Sequence, residues 1–148
     1  MLFKRVSRSD PEKVFIVVKN TSAATLADGY VVEWDFTTEK DGVCVIKPTT
    51  LAVSLGNAVA GVAVESIVDD AYGLIQVYGY HSAVRARACT SDDAIALGSG
   101  LRPPLAGGVW CCEGQDPDGT LNYKTMGFAL SIWSSWASST ISAFLKCL

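Results

Sequence analysis

The sequence predicts an all-β protein: a single-domain antiparallel β-barrel or β-sandwich of short strands and hairpins, preceded by a short N-terminal arm. Apolar residues make up 49% of the 148 residues, which suits one domain with its own core. The apolar runs are short and β-branched, and turn residues separate them at the spacings of barrels and sandwiches. A helical stripe is seen at most over Leu130 to Ala143, where a short helix stays an alternative.

The first two elements are a strand and a hairpin. VFIVVK, from Val14 to Lys19, is an apolar, β-branched run that ends at turn residues, and it predicts a buried strand. In YVVEWDFT apolar and polar residues alternate, which predicts one buried and one exposed face. The apolar members are Val32, Trp34 and Phe36, and the polar ones are Glu33, Asp35 and Thr37. Asp41-Gly42 then turns the chain into VCVIK, which Pro48 ends.

The middle of the chain holds two longer apolar stretches, VAGVAVESIV and GLIQVYGYHSAVRARA, joined by a turn at Asp69-Asp70. The second stretch is long enough to bend and to pair with two sets of neighbours. Gly79 inside it predicts a β-bulge or a point of close approach.

The last third is dense in turn residues. VWCCE and LNYKTMGFALSIW flank Asp116-Pro117-Asp118-Gly119, a turn sequence that predicts a hairpin between them. ISAFLKCL is the last predicted strand. Met126 to Leu145 lacks charge but carries seven hydroxyl side chains, so we expect no transmembrane span.

Charge and cysteine usage narrow the function classes. The net charge of −3 argues against binding to nucleic acid, which requires a positive excess. Lys4, Arg5 and Arg8 interrupt the start of the chain, where a signal peptide would be apolar, so we expect no secretion. The five cysteines are an odd number without regular spacing, and we expect them to be reduced.

Residues for catalysis or metal binding are scarce. His81 is the single histidine, and a lone strand histidine is more often exposed or hydrogen-bonded than catalytic. Cys111 and Cys112 are adjacent, so in a strand they point to opposite faces and do not chelate one ion. We therefore expect no enzyme activity, no cofactor and no metal.

Basic residues indicate a binding surface. Lys4, Arg5 and Arg8 have no acid near them in sequence, and Arg85 and Arg87 at i and i+2 share a strand face. These five are candidate contacts for an acidic protein partner; the alternative is a solvated tail and a solvated strand face. Exposed tryptophans would suit a carbohydrate or receptor, although Trp34 in its alternating strand is expected in the core.

Several strand segments together resemble a known family. They are LADGYVVEWD (26–35), VAGVAVESI (59–67), AYGLIQVYGYHSAVRA (71–86), IALGSGL (95–101) and MGFAL (126–130). In this order they resemble the small β-rich head decoration, or cement, proteins of tailed bacteriophages. The resemblance spans about residues 14–148. The basic start of the chain and the hydroxyl-rich stretch 134–142 depart from the family pattern.

The resemblance implies a virion structural protein that binds the outside of the phage head lattice and stabilises it. The implied partners are the major capsid protein and other copies of this chain, as a trimer or another homo-oligomer. Its place would be the capsid exterior, after a period in the host cytoplasm during assembly. We divide the chain into a basic arm (1–13), which would contact a neighbouring subunit, and a β-rich domain (14–148). The alternative is a carbohydrate- or receptor-binding β module, free or displayed on a virion.

Overall fold

The computed structural model describes residues 12–38, 40, 42–48, 59–87, 94–102, 112–113, 125–133 and 139–147. These residues form nine strands and no helix. The strands are β1 (Val14–Asn20), β2 (Val31–Trp34), β3 (Cys44–Ile46), β4 (Val59–Ala63), β5 (Tyr72–Ala86), β6 (Gly100–Arg102), β7 (Cys112–Glu113), β8 (Gly127–Ala129) and β9 (Ser139–Lys146). The predicted all-β class is confirmed.

Five strands close into a barrel. The strand order β1-β3-β2-β4-β5 returns to its start because β1 also pairs with β5. Four of these pairings are antiparallel and the β1–β3 pairing is parallel, so the barrel is mixed. Closure gives each of the five strands a neighbour on both sides, which reduces the strand edge open to other chains.

The 15-residue strand β5 joins the barrel to a second sheet. Its first half pairs with β1 and β4, and its second half pairs with β9, after which the order continues β8-β6-β7. Gly79, at φ +99°, lies at the transition, where a Cβ atom would collide with the main-chain carbonyl of Glu12. The predicted close approach and the predicted double pairing of this strand are both confirmed.

Each unit has its own core. Inside the barrel, residues such as Val18, Val45 and Ile75 are fully buried. The second core lies under β5, β9 and β8 and includes Ile141 and Leu145. Strands β2 and β4 contribute to both cores, so they are covered on both faces.

This double coverage corrects the predicted burial of β2. The hairpin itself is confirmed, since Glu33 pairs with Ile46 and Trp34 with Val45. The predicted faces are wrong: Glu33 and Asp35 are 5% and 2% exposed, whereas Phe36 is 53% exposed. Strict alternation fails because Val31 and Val32 each enter a core on opposite faces of the strand and Phe36 lies past its end.

Two other expectations are corrected. Strand β1 is not fully buried, because Phe15 and Val17 point away from the barrel core and are 44% and 63% exposed. Strands β7 and β8 do not pair, because β6 lies between them. Residues 116–119, the turn predicted to join them, lie outside the described residues, as does Asp41.

The helical alternative over Leu130 to Ala143 is wrong where the chain is described. Trp133 forms a bridge with Ile95, and Ser139 to Ala143 belong to β9. Residues 134–138 lie outside the described part. Across the described ranges, no helix is long and apolar enough to cross a membrane.

Candidate interaction surface

The solvent-facing side of the second sheet carries a row of aromatic rings. Phe144 of β9 is directly opposite Tyr80 of β5 on one side and Phe128 of β8 on the other. Residues opposite each other on neighbouring strands point to the same face, so the three rings form a ladder across the sheet. Tyr78 adds a fourth ring, packed edge-on against Phe144 at a centroid distance of 5.2 Å.

Two lysines flank this ladder. The Lys146 ammonium lies 4.9 Å from the centroid of Phe128, and that of Lys13 lies 5.7 Å from the centroid of Tyr80. Both distances are within cation–π range. We define these residues together as the aromatic face: Lys13, Tyr78, Tyr80, Phe128, Phe144 and Lys146. Its chemistry suits a partner that offers apolar side chains with carboxylates beside them.

Exposed aliphatic residues follow β8 and precede β6 in the chain. Phe128 is 40% exposed, and Leu130, two residues further along, is 42% exposed. Ile132 and Leu97 are exposed by 70% and 68%. Large apolar side chains left open to water are typical of a protein contact surface when they lie together.

A second apolar area lies on the outside of the barrel. Val17 of β1 is paired with Leu74 of β5, and Lys19 is paired with Tyr72. We define Phe15, Val17, Tyr72 and Leu74 as the barrel flank. Lys19 on this flank forms an ion pair with Asp70 at 2.5 Å, which raises the pKa of Lys19. The lysine on the barrel flank is therefore held by a carboxylate, whereas Lys13 and Lys146 of the aromatic face lie over rings.

The predicted arginine contacts lie in different settings. The Arg85 guanidinium stacks 5.0 Å from the Tyr30 ring, and its Nε donates to the carbonyl of Asp28 at 3.3 Å. Arg85 thus holds the loop before β2 against β5. Arg87 follows the last residue of β5 and is partly buried. The predicted arm residues Lys4, Arg5 and Arg8 lie outside the described residues.

A groove of about 250 Å³ opens where β1, β5 and the loop at Asp28 meet. On β5 it lies where the register against β9 shifts, between His81 and Val84, which we call the β5 bend. Lys13 and Asp28 bring opposite charges to it, and Phe15 and Val64 bring apolar surface. The loop is fixed in place: the Arg85 amide donates to the Gly29 carbonyl at 2.9 Å, and Gly29 adopts φ +78°. A Cβ at Gly29 would collide with the carbonyl of Ala83, so glycine is needed at this close approach.

His81 lines the same groove and is 7% exposed. Its Nδ1 accepts a hydrogen bond from the Ala83 amide at 3.1 Å. Burial lowers the pKa of His81; the Asp28 carboxylate acts to raise that pKa, and the Lys13 ammonium lowers it. The expectation of a hydrogen-bonded histidine is confirmed. Because Nδ1 accepts this bond, we infer that the neutral imidazole carries its proton on Nε2.

Asp35 is a buried carboxylate with a structural role. Its oxygens accept hydrogen bonds from the hydroxyls of Thr21 at 2.8 Å and Thr37 at 2.6 Å, and from the amides of Thr37 and Thr38. Burial alone would raise the pKa of Asp35, but these hydrogen bonds outweigh it and hold the pKa below its ordinary value. The carboxylate therefore ties the end of β2 to the end of β1.

The structure places two cysteine side chains in apolar surroundings. Cys44 is buried, and Cys147 packs against both cores. Burial raises the pKa of the Cys147 thiol to about 12. Among the described residues, no three His, Cys, Asp or Glu side chains gather as a metal site. Cys111 of the adjacent pair lies outside that part.

The tryptophans seen in the structure serve the cores. Trp34 packs against the barrel core and Trp133 against the second core, both partly buried. Trp110 and Trp136 lie outside the described residues. A sugar-stacking platform built on Trp34 or Trp133 therefore has no support from the fold.

No protein-family model and no curated protein matches this chain. Among solved structures, it is similar to one described as the head fiber gp8.5 N base in bacteriophage phi29. The TM-score is 0.49 and the sequence identity 12%, over 89% of this chain and 94% of that chain. Similarity at this level establishes neither a shared family nor a shared function.

Sequence reasoning missed both the aromatic face and the groove. The face joins rings from three strands whose order the sequence does not reveal, and the groove joins Lys13, Asp28 and His81 from separate segments. One signal was available: Phe128 and Phe144 each lie in an alternating run near the C-terminus, which places them on the face opposite the alanines 129 and 143.

Proposed function

We propose that this protein is a virion structural protein that binds the outer surface of a phage head lattice and stabilises it. The observation that carries the proposal is the aromatic face, a row of partly exposed rings flanked by Lys13 and Lys146 on a sheet anchored to a closed barrel. Such a surface suits lasting contact with another protein and requires no catalytic group.

The resemblance to decoration proteins adds to this. The segments that carry it contain β2, β4, β5, β8 and most of β6, which belong to both the barrel and the second sheet. The proposed partner is the major capsid protein, through an apolar patch edged with carboxylates. Many copies on one lattice would convert a modest affinity per subunit into firm attachment.

Self-association and the arm belong to the same proposal. Copies of the chain would meet on the lattice as trimers or other homo-oligomers, and the basic arm would contact a neighbouring subunit. Residues 12 and 13 pack within the fold, because the Glu12 carbonyl abuts Gly79 and Lys13 stacks on Tyr80. A deletion of residues 1–11 therefore removes Lys4, Arg5 and Arg8 from the arm and keeps these two contacts.

The experiment is cosedimentation of the purified protein with capsids assembled without it, while light scattering reports the size of the free protein. We expect saturable binding at a fixed ratio to the shell subunit, with lower occupancy for the 1–11 deletion. Failure of the intact protein to bind capsids at any concentration would refute the decoration function. Equal occupancy of the deletion would refute the arm contact alone.

A further inference from the structure

The groove beside the β5 bend is lined by a buried hydrogen-bond donor, the Nε2–H of His81, for which the described residues supply no acceptor. His81 Nδ1 is used by the Ala83 amide, so the imidazole proton is on Nε2. Within the described ranges no contact satisfies this Nε2–H, although the residue is 7% exposed and lines the groove. A buried polar group without a partner is costly, so water or a ligand must accept from it.

A buried acceptor lies in the same groove. The Gln76 amide nitrogen donates to the carbonyls of Tyr78 and Tyr80, both at 3.1 Å, which fixes the orientation of the side chain. Its Oε1 has no donor in the described part of the chain, and Gln76 is 2% exposed. The groove thus offers one neutral donor and one neutral acceptor, both held by the β5 bend.

The exposed rim of the groove adds a charged donor and a charged acceptor to the neutral ones. Lys13 adds a donor and Asp28 an acceptor, while Phe15 and Val64 form an apolar wall. An anionic ligand would gain from Lys13 but be repelled by Asp28, and a cation would meet the reverse. A hydroxyl both donates and accepts, so a ligand rich in hydroxyls satisfies all four polar groups at once.

We propose that this groove binds one pyranose ring of a glycan. Its hydroxyls would pair with His81, Gln76, Asp28 and Lys13, and its C–H face would lie on the exposed Phe15 ring. A groove of about 250 Å³ suits a single sugar ring. The site goes beyond capsid attachment: copies arrayed on a virion would hold polysaccharide through many weak contacts.

The test is an NMR titration of the full-length, ¹⁵N-labelled protein with methyl glycosides of glucose, galactose, mannose and N-acetylglucosamine. Sodium acetate and glycerol serve as separate probes. We expect saturable shifts at the amides of Phe15, Asp28 and Ala83 and at the His81 ring for at least one sugar, with a millimolar Kd. Shifts with no sugar, or equal affinity for acetate or glycerol, would overturn the proposal.

Variants locate the site. Asp28→Ala and Lys13→Ala change exposed side chains and leave the loop contacts of the Asp28 carbonyl intact. Each should weaken sugar binding roughly tenfold, the loss of about one hydrogen bond. Lys47→Ala, at an exposed position after β3, is the matched control and should bind as the unmodified protein does. Undiminished sugar binding by Asp28→Ala would contradict the assignment.

Discussion

The barrel and the second sheet share strand β5 but differ in whether their strand order closes. In the barrel every strand is paired on both sides, whereas the order of the second sheet runs out from β5 to β7 without closing. The first half of β5 is held by β1 and β4; its second half has β9 on one edge and the loop at Gly29 on the other. The closed unit thus supplies rigidity and the open unit supplies the aromatic face.

Other strands and one cysteine couple the two cores as well. Strands β2 and β4 are buried in both, and Cys147 packs against both. Neither core is complete without strands that belong to the other, so we expect the two units to unfold together.

Truncation within each core gives the largest expected effect. Ile75→Ala in the barrel and Leu145→Ala in the second core remove fully buried side chains, and each should cost about 3–4 kcal/mol. Urea unfolding followed in variants that keep only Trp34 or only Trp133 reports on each unit. The two probes should give one coincident transition.

The control for these variants is Leu97→Ala, at a side chain that is 68% exposed, which should change stability by less than about 0.5 kcal/mol. Two separate transitions, with Ile75→Ala shifting only the one seen by Trp34, would show that the barrel and the second sheet are independent.

A smaller effect is expected from Asp35, which stabilises the barrel alone. Asp35→Ala removes an acceptor of several hydrogen bonds and should cost about 2–3 kcal/mol. Because folding lowers the pKa of Asp35, its stabilisation is complete above the unfolded value of about 3.9 and is lost as the pH falls below it. Urea midpoints at pH 6 measure the cost of Asp35→Ala, and their change below pH 4 measures the loss of stabilisation on acidification.

The matched variant Asp35→Asn keeps the shape of the side chain but cannot ionise. It should show a weaker loss of stability on acidification than the unmodified protein. Parallel pH profiles for the two proteins would mean that the carboxylate does not stabilise the barrel.

The smallest effect concerns His81 at the junction of the two units. Folding lowers the pKa of His81, so protonation favours the unfolded chain and stability should fall as the pH drops below about 6.5. The chain has one histidine, so His81→Asn should reduce the change in the urea midpoint between pH 7 and pH 5. If the urea midpoint of His81→Asn falls as much between pH 7 and pH 5 as that of the unmodified protein, His81 is not the source of the pH dependence.

Local pattern was sufficient to predict most of the strands. β-branched runs and turn residues located β1, the β2–β3 hairpin, the long β5 and β9, and Gly79 was expected at a close approach. Burial was harder to predict, because it depends on which layers cover a strand. The side chains of Phe15 and Val17 point away from the barrel core, although the run that contains them is as apolar as a buried strand.

The candidate surfaces depend on strand order, which one sequence does not encode locally. The Tyr80, Phe144 and Phe128 ladder exists because β9 lies between β5 and β8. Arg85 was singled out by its charge, yet it stacks on Tyr30 and holds a loop. The charge of Arg85 suggested a protein contact, whereas the fold forms the ring ladder from residues that the sequence pattern did not single out.

The most direct test of the account is capsid cosedimentation with one substitution on each apolar area. Phe128→Ser alters the aromatic face and Val17→Ser the barrel flank, at side chains that are 40% and 63% exposed, with circular dichroism to confirm that both fold. Phe128→Ser should lower capsid occupancy markedly, and Val17→Ser should bind as the unmodified protein does. Full occupancy for Phe128→Ser, or its loss for Val17→Ser, would contradict attachment through the aromatic face.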